Sequence, residues 1–124
     1  MQVDKVMNYP FKDAEVSYSE RDVMLYGLGV NLGLDPNDED DLQYLYEDGL
    51  TVLPPYAMVL GHPGFWIKDP ELEIDWVKVL HAEQFLSVSQ VLPANGKVRA
   101  SFRVRGIADK GSDKGCILYY EKLL

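Results

Sequence analysis

The chain has 124 residues, the size of one domain that can bury a hydrophobic core. Its 20 acidic and 12 basic residues give a formal net charge of -8, which repels phosphate backbones and argues against a nucleic-acid partner. The single cysteine, Cys116, excludes a disulfide framework and a multi-cysteine zinc site, and it indicates an intracellular compartment. No apolar run approaches the roughly 18 residues of a membrane span, so no membrane partner is expected.

A helix is predicted to begin directly after Ser19. Ser19 is a favourable N-cap residue, and Asp22 stands at the position of the capping-box acid. Apolar residues then recur at helical spacing as far as Val30, and Gly33 is suited to end the helix. The acidic run NDEDD behind it is interpreted as a solvated loop near a helix or strand start, because the spacing and the closing Glu of a calcium-binding loop are absent.

From Trp76 onward the hydrophobic period changes to two, which is typical of strands. Three consecutive antiparallel strands are predicted over HAEQFLSVSQ, KVRASFRVRG and CILYYEKLL. Asn95-Gly96 is a strong hairpin signal and is expected to join the first two. A short helix followed by long antiparallel strands predicts an α+β fold with a sheet round a helix.

Four stretches of the chain, in order and with natural spacing, carry a family resemblance. They are SYSERDVMLYGLGVN, LQYLYEDGLTVLPPYAMVLG, VLHAEQFLSVSQVLPANGKV and IADKGSDKG. Together they resemble the N-terminal half of the (R)-specific type 2 enoyl-CoA hydratases, which are MaoC-like dehydratases and include the hydratase unit of peroxisomal multifunctional enzyme type 2. The resemblance implies that residues 1–124 form one hot-dog domain of a double hot-dog. In such hydratases the first hot-dog helps to hold the acyl-CoA, and the second carries the catalytic residues.

The catalytic signature of that family, an Asp followed by Asn, Pro, Leu and His, is absent. The family uses the carboxylate and the imidazole to add water across a C2–C3 double bond. His62 and His81 are the only histidines, and Ala57 and Trp76 occupy the positions at which their acidic partners would stand. We therefore expect no catalytic residue in this chain, and activity only in a parent protein that supplies the second hot-dog.

His81 and Glu83 stand two residues apart in the first predicted strand, which places both side chains on one face. Three interpretations remain open: an acid–base pair, a metal site, or the wall of a substrate pocket. Glu83 is the one carboxylate that we name for a single hot-dog thioesterase. A metal site needs a third ligand that the sequence does not show, so no metal is expected.

By resemblance, His81 and Ala82 occupy the His-Gly position that contacts the acyl-CoA in this family. Ala82 departs from the usual glycine, which preserves a backbone contact but removes some room beside the ligand. Lys110 matches a lysine that the family uses on the CoA ester, either as a cation near phosphate or as a donor to the pantetheine. The alternatives are a structural histidine at a strand end and a solvated lysine in a turn.

The remaining apolar positions have a core interpretation and a tunnel interpretation. Pro54 and Pro55 are suited to the first turn of a short buried helix. In the family this part of the hydratase accommodates the fatty or steroid tail, so LPPYAMVLGHPGFW is either core or tunnel wall. Cys116 is predicted to be a buried, unreactive thiol. The large aromatic residues predicted to lie in the core are Phe65, Trp66, Trp76, Phe85 and Phe102.

The implied function is that of the acyl-CoA-binding half of a hydratase that forms (3R)-hydroxyacyl-CoA in fatty-acid or sterol side-chain β-oxidation. The alternatives are a non-catalytic acyl-CoA-binding module and the thioesterase. The end of the chain after YYEKLL favours the hydratase half over both. The expected partners are the acyl-CoA, which is the substrate, and a second hot-dog domain or subunit in a homo- or heterodimer. No cofactor is expected. The expected compartment is the cytoplasm in a bacterium and the peroxisome in a eukaryote.

Overall fold

The computed structural model describes all residues from 1 to 124 and has the α+β character that the sequence predicts. The α-helices are α1 (Val3–Met7), α2 (Glu20–Gly29), α3 (Leu42–Leu45) and α4 (Tyr56–Val59). The strands are β1 (Ala14–Tyr18), β2 (Gly96–Asp109) and β3 (Cys116–Leu123). Short 3-10 helical turns cover Glu39–Asp41, Trp66–Lys68, Pro70–Leu72 and Trp76–Lys78. None of the helices combines the length and the apolar character needed to cross a membrane.

The chain forms two compact units, which are described separately. The terminal unit contains both chain ends and consists of Met1–Ala14, Gly61–Gln84 and Arg99–Leu124. The internal unit consists of Glu15–Leu60 and Phe85–Val98.

The three strands form one sheet in the order β1-β2-β3. β2 and β3 pair antiparallel from Ser101 opposite Leu123 to Asp109 opposite Cys116, with an irregularity between Val104 and Gly106. Along β2 the apolar Ala100 and Val104 are buried, whereas the basic residues between and beside them are exposed. This alternation confirms the half-buried strand predicted for this stretch.

The strand predicted for residues 81–90 is wrong, and so is the hairpin at Asn95-Gly96. Residues 79–95 contain neither helix nor strand, and Gly96 instead begins β2. The strands that pair with β2 are β1 and β3, and residues 81–90 are not part of the sheet. A period of two in the sequence shows that a segment can form a strand, but a strand also needs a neighbouring strand to pair with.

The start of helix α2 confirms the sequence prediction. Ser19 is the N-cap residue, and the carboxylate of Asp22 accepts hydrogen bonds from the Ser19 backbone N–H and hydroxyl, both at 2.8 Å. The acid thereby satisfies an amide at the helix start that has no intrahelical partner.

Helix α2 ends earlier than the sequence suggests. The left-handed residue that ends it is Asn31, with φ 71°, and not Gly33. The N–H of Asn31 donates to the carbonyl of Leu28, and the N–H of Leu32 donates to that of Gly27, both at 3.1 Å. These two bonds are the Schellman arrangement, in which asparagine tolerates the left-handed conformation that glycine more often supplies.

The internal unit has a small core against helices α2 and α4. The phenol of Tyr18 is part of it and donates to the carbonyl oxygen of Pro93 at 2.9 Å. The helix predicted after Pro54 and Pro55 is confirmed as α4, and its first residue is buried. The buried members of this core are Tyr18, Val23, Val52, Tyr56 and Leu60.

The core of the terminal unit is built on Val6, Leu72 and Val104, which are buried. A group of aromatic rings extends this core. Phe11 contacts four others, with ring centroids 4.9 Å from Tyr9 and 4.9 Å from Trp66. The group, called the aromatic cluster below, consists of Tyr9, Phe11, Trp66, Phe102 and Tyr120.

Trp66 and Phe102 are half-buried in the aromatic cluster, whereas the core prediction is wrong for the other three aromatic residues. Phe65, Trp76 and Phe85 are 55%, 40% and 82% exposed. Phe85 lies in the segment that forms no strand, so no sheet face covers its ring. Cys116, predicted to be buried, is exposed because it is the first residue of β3, directly after the turn.

Candidate functional site

His81 lies in the exposed segment behind the last 3-10 turn of the terminal unit. Its imidazole Nε2 is 3.1 Å from the backbone carbonyl oxygen of Glu83. A carbonyl oxygen only accepts, so Nε2 carries the proton in this contact. His81 is therefore held by the backbone of Glu83, and this contact does not make an acid–base pair with the carboxylate.

The other histidine, His62, also makes a backbone contact. Its Nδ1 accepts the N–H of Gly64 at 3.0 Å. General acid–base work of the hydratase type needs a carboxylate and an imidazole that face the same substrate. The imidazoles of His62 and His81 instead contact backbone groups.

Ala82 is exposed beside His81, and Lys110 is exposed in the turn between β2 and β3. The backbone N–H of Lys110 donates to the carbonyl of Gly115 at 2.8 Å, and Gly111 has a positive φ of 95°. These contacts fix the backbone of the turn, and the side chain of Lys110 is exposed to solvent. No hydrogen bond or ion pair connects Lys110 to His81, so the role of these residues on a shared acyl-CoA stays a prediction.

A cleft of about 620 Å³ opens in the terminal unit beside the aromatic cluster, and we call it the aromatic cleft. Two chain segments line it, one before β1 and one around the 3-10 turn Trp66–Lys68. Prolines stand in both segments and fix φ there, which limits the freedom of the walls. The lining side chains with an aromatic ring or a charge are Tyr9, Phe11, Lys12, Phe65, Trp66, Lys68 and Asp69.

The polar groups at the aromatic cleft have distinct partners. The ammonium of Lys68 lies 4.7 Å from the ring centroid of Phe65 and 4.2 Å from that of Trp76, within cation–π range. Asp69 accepts the phenol O–H of Tyr9 at 3.3 Å and the N–H of Glu71 at 3.0 Å. Burial and the neighbouring Asp69 raise the pKa of Tyr9, so its phenol is neutral at pH 7 and remains a donor.

A second cleft, of about 400 Å³, lies in the internal unit between helices α2 and α4, and we call it the helix cleft. Its walls are mainly apolar, with Leu25, Val30 and Val59 among them. Its one charged group is Asp22. Burial raises the pKa of Tyr56, and Asp22 raises it further, so this phenol also stays neutral.

The sequence reasoning missed the aromatic cleft. Its signal is the repeated succession of proline, aromatic residue and lysine, which occurs in YPFK and again in PGFWIK. Each stretch taken alone is unremarkable, and only the fold brings Lys12 and Lys68 to one opening. No group of three histidine, cysteine or acidic side chains lies close enough to hold a metal ion.

Comparison with known proteins is consistent across sequence and structure. The family model of the MFE-2 hydratase 2 N-terminal domain matches residues 16–122. An enoyl-CoA hydratase of Mycobacterium tuberculosis is 34% identical over 116 residues, which are 90% of this chain and 40% of the relative. The peroxisomal enoyl-CoA hydratase 2 of Arabidopsis thaliana is 30% identical over 95% of this chain and 40% of its own length.

Larger relatives show the same partial coverage. The peroxisomal multifunctional enzyme type 2 of Mus musculus is 30% identical over 77% of this chain and 14% of its own length. The chain thus spans 40% or less of the length of these three curated relatives. They include peroxisomal enzymes and a bacterial one.

The fold comparison agrees with the sequence comparison. The crystal structure of a MaoC-like dehydratase from Phytophthora capsici matches with a TM-score of 0.57 at 17% identity, over 98% of this chain and 48% of that chain. At this identity the likeness concerns the fold alone, and it confirms the predicted α+β hot-dog. With the family model matching nearly the whole length, this chain belongs to the family of MFE-2 hydratase 2 N-terminal domains.

Proposed function

We propose that this chain is the acyl-CoA-binding half of a 2-enoyl-CoA hydratase, which adds water to trans-2-enoyl-CoA to give (3R)-hydroxyacyl-CoA. The observation that carries the proposal is the family match over residues 16–122, joined to relatives named enoyl-CoA hydratase of which this chain spans 40%. The pathway would be the β-oxidation of fatty acids or of sterol side chains.

The proposed substrate contacts are His81, Ala82 and Lys110. All three are exposed in the terminal unit, so a ligand can reach them without displacing a core residue. The imidazole of His81 is oriented by the Glu83 carbonyl, and the turn that carries Lys110 is fixed by backbone hydrogen bonds. A positioned imidazole and a free ammonium suit a polar thioester and its phosphates.

The proposed reaction needs a catalytic pair from outside this chain. The imidazoles of His62 and His81 contact backbone groups, which supports a binding role for this half. A second hot-dog domain or subunit would supply the acid–base residues, in a double hot-dog or a dimer. The CoA thioester would be the substrate, and we propose no further cofactor.

Exposed apolar side chains give such a partner a surface to cover. On helix α2 of the internal unit, Leu25 and Leu28 are 62% and 55% exposed, and Val59 on α4 is 54% exposed. Contiguous apolar surface of this kind is characteristic of an association face. The compartment would follow the host, with peroxisome in a eukaryote and cytoplasm in a bacterium.

A turnover assay tests the proposal against its alternatives. Purified chain is mixed with trans-2-octenoyl-CoA, and the enoyl absorbance and the release of free thiol are followed together. We expect neither signal to change above the background without protein. Loss of the enoyl absorbance without release of free thiol would show that this chain hydrates the substrate by itself. Thiol release that disappears in Glu83→Ala would establish the thioesterase instead.

A further inference from the structure

We propose that the aromatic cleft binds the adenosine 3′,5′-bisphosphate end of a CoA thioester, with Lys12 and Lys68 meeting the phosphates. This inference deepens the proposed function, because the choice of CoA as the ligand rests on it. The cleft is formed by residues of the terminal unit.

Two lysines at the cleft have no carboxylate partner. Arg99, Arg103 and Arg105 form ion pairs with carboxylates, as does Lys5 with Glu71 at 3.2 Å. Lys12 and Lys68 enter no ion pair. In a chain with a net charge of -8, two unneutralised ammonium groups at one opening form a local site for an anion.

The carboxylate in the cleft does not cancel these cations. Asp69 accepts hydrogen bonds from the Tyr9 phenol and from the Glu71 N–H. Two cations and one carboxylate leave the lining with a net positive charge. The ammonium of Lys68 is also held over the rings of Phe65 and Trp76, so its position is set before a ligand arrives.

The aromatic walls select for a flat ring as well as for an anion. Phe65 lies at the cleft with 55% of its surface exposed, which is more than a core ring would show. Trp66 stands next to it and is held by Tyr9 and Phe11, with ring centroids 5.1 Å and 4.9 Å away. A nucleobase stacks on such faces whatever its hydrogen-bonding pattern. Aromatic faces together with free lysines therefore match a nucleotide better than they match an acyl tail.

Size and contrast with the helix cleft support the same ligand. About 620 Å³ falls within the range of roughly 300–1,000 Å³ that small-molecule sites occupy. The helix cleft has about 400 Å³, apolar walls and Asp22 as its one charged group, which repels phosphate. Of the two clefts, only the aromatic cleft offers cations to a phosphorylated ligand.

The test is calorimetric titration of two ligands, adenosine 3′,5′-bisphosphate and octanoyl-CoA, into the 124-residue chain and its variants. Lys12→Ala removes an exposed side chain without an ion pair, and Phe65→Ala removes an exposed ring, so neither change threatens the core. Lys97→Ala is the matched control, because it deletes the same charge from a lysine that is paired with Glu15 in the internal unit. Each titration is repeated at two salt concentrations.

We expect Lys12→Ala to weaken both ligands about 3- to 10-fold at low salt and less at higher salt, because a charge–phosphate interaction is screened. Phe65→Ala should weaken both by about tenfold at either salt concentration, as expected when one stacking partner is lost. Lys97→Ala should bind both ligands like the parent. Octanoyl-CoA binding that is unchanged in Lys12→Ala and Phe65→Ala would overturn the nucleotide site and leave the proposed function standing. The opposite outcome is that the parent binds no octanoyl-CoA but binds adenosine 3′,5′-bisphosphate in a way that depends on Lys12. This result would contradict the proposed function and still support the cleft as a nucleotide site.

Discussion

The imidazole of His81 is bound to the backbone carbonyl of Glu83, at 3.1 Å from Nε2 to the oxygen. The same two residues would form an acid–base pair if the carboxylate faced the imidazole. The observed contact instead orients the ring through the main chain and does not use the Glu83 side chain. The pair thus consists of an imidazole oriented by a backbone carbonyl and an exposed carboxylate.

Glu83→Ala should accordingly change little. Glu83 is exposed, and surface substitutions away from caps and networks usually alter the free energy of unfolding by no more than about 0.5 kcal/mol. Chemical denaturation of the parent and the variant measures this difference. A decrease in the free energy of unfolding well above about 1 kcal/mol would contradict this expectation and show that the Glu83 carboxylate has a structural partner.

Lys110→Ala and Ala82→Val should weaken acyl-CoA binding through different physical effects. The lysine change removes a charge, so its effect should shrink with added salt, whereas the added methyl groups of Ala82→Val act sterically and should be insensitive to salt. Titration of octanoyl-CoA at low and moderate ionic strength separates them. Lys114→Ala, in the same turn, is the matched control and should bind like the parent. If both variants bind normally at every salt concentration, His81 is a structural histidine and Lys110 is a solvated lysine in a turn.

Leu72→Ala should destabilise the terminal unit strongly. Leu72 is 1% exposed and packs with Val6 and Val104, so its truncation leaves a cavity that typically costs about 2–5 kcal/mol. Leu80→Ala is the control, since Leu80 is 86% exposed and should shift the free energy of unfolding by less than about 0.5 kcal/mol. Equal shifts of the urea midpoint in the two variants would contradict the described core.

The capping contact of helix α2 should produce a dependence of stability on pH. Hydrogen bonds from the Ser19 hydroxyl and N–H lower the pKa of Asp22 below its ordinary value of 3.8. A carboxyl with a lowered pKa stabilises the fold above pH 3.8, and the contribution is lost as the pH falls through the lower folded value. The Tm of the parent should therefore exceed that of Asp22→Asn at pH 6, and the gap should close in acid. A gap that stays constant down to pH 2.5 would show that the charge of Asp22 plays no part.

Much of the local structure could be predicted from the sequence, because single short-range interactions determine it. The start of helix α2 follows from Ser19 and Asp22, which stand within one turn of each other. The alternation in β2 follows from burial on one face of the strand, and it could be read without knowing the partner strands. Membership of the family could likewise be predicted, because the four stretches that carry the resemblance can be recognised in the sequence without knowledge of the fold.

The remaining features depend on distant parts of the chain and could not be read in this way. Residues 81–90 alternate like a strand, but the sheet is formed by β1, β2 and β3 without them. The aromatic cleft brings together Lys12 and Lys68, which are far apart in sequence, and the similar stretches YPFK and PGFWIK do not by themselves show that the two lysines meet. The sequence places the end of helix α2 too late, because Asn31 adopts the left-handed conformation that glycine more often supplies at a helix end.

Equilibrium dialysis with trans-2-octenoyl-CoA measures whether this chain binds an acyl-CoA without converting it. The thioester on both sides of the membrane is quantified by chromatography after equilibration with purified chain. We expect an excess of unchanged trans-2-octenoyl-CoA on the protein side, and this excess should saturate as the ligand concentration rises. Equal concentrations on the two sides, or accumulation of 3-hydroxyoctanoyl-CoA, would contradict it.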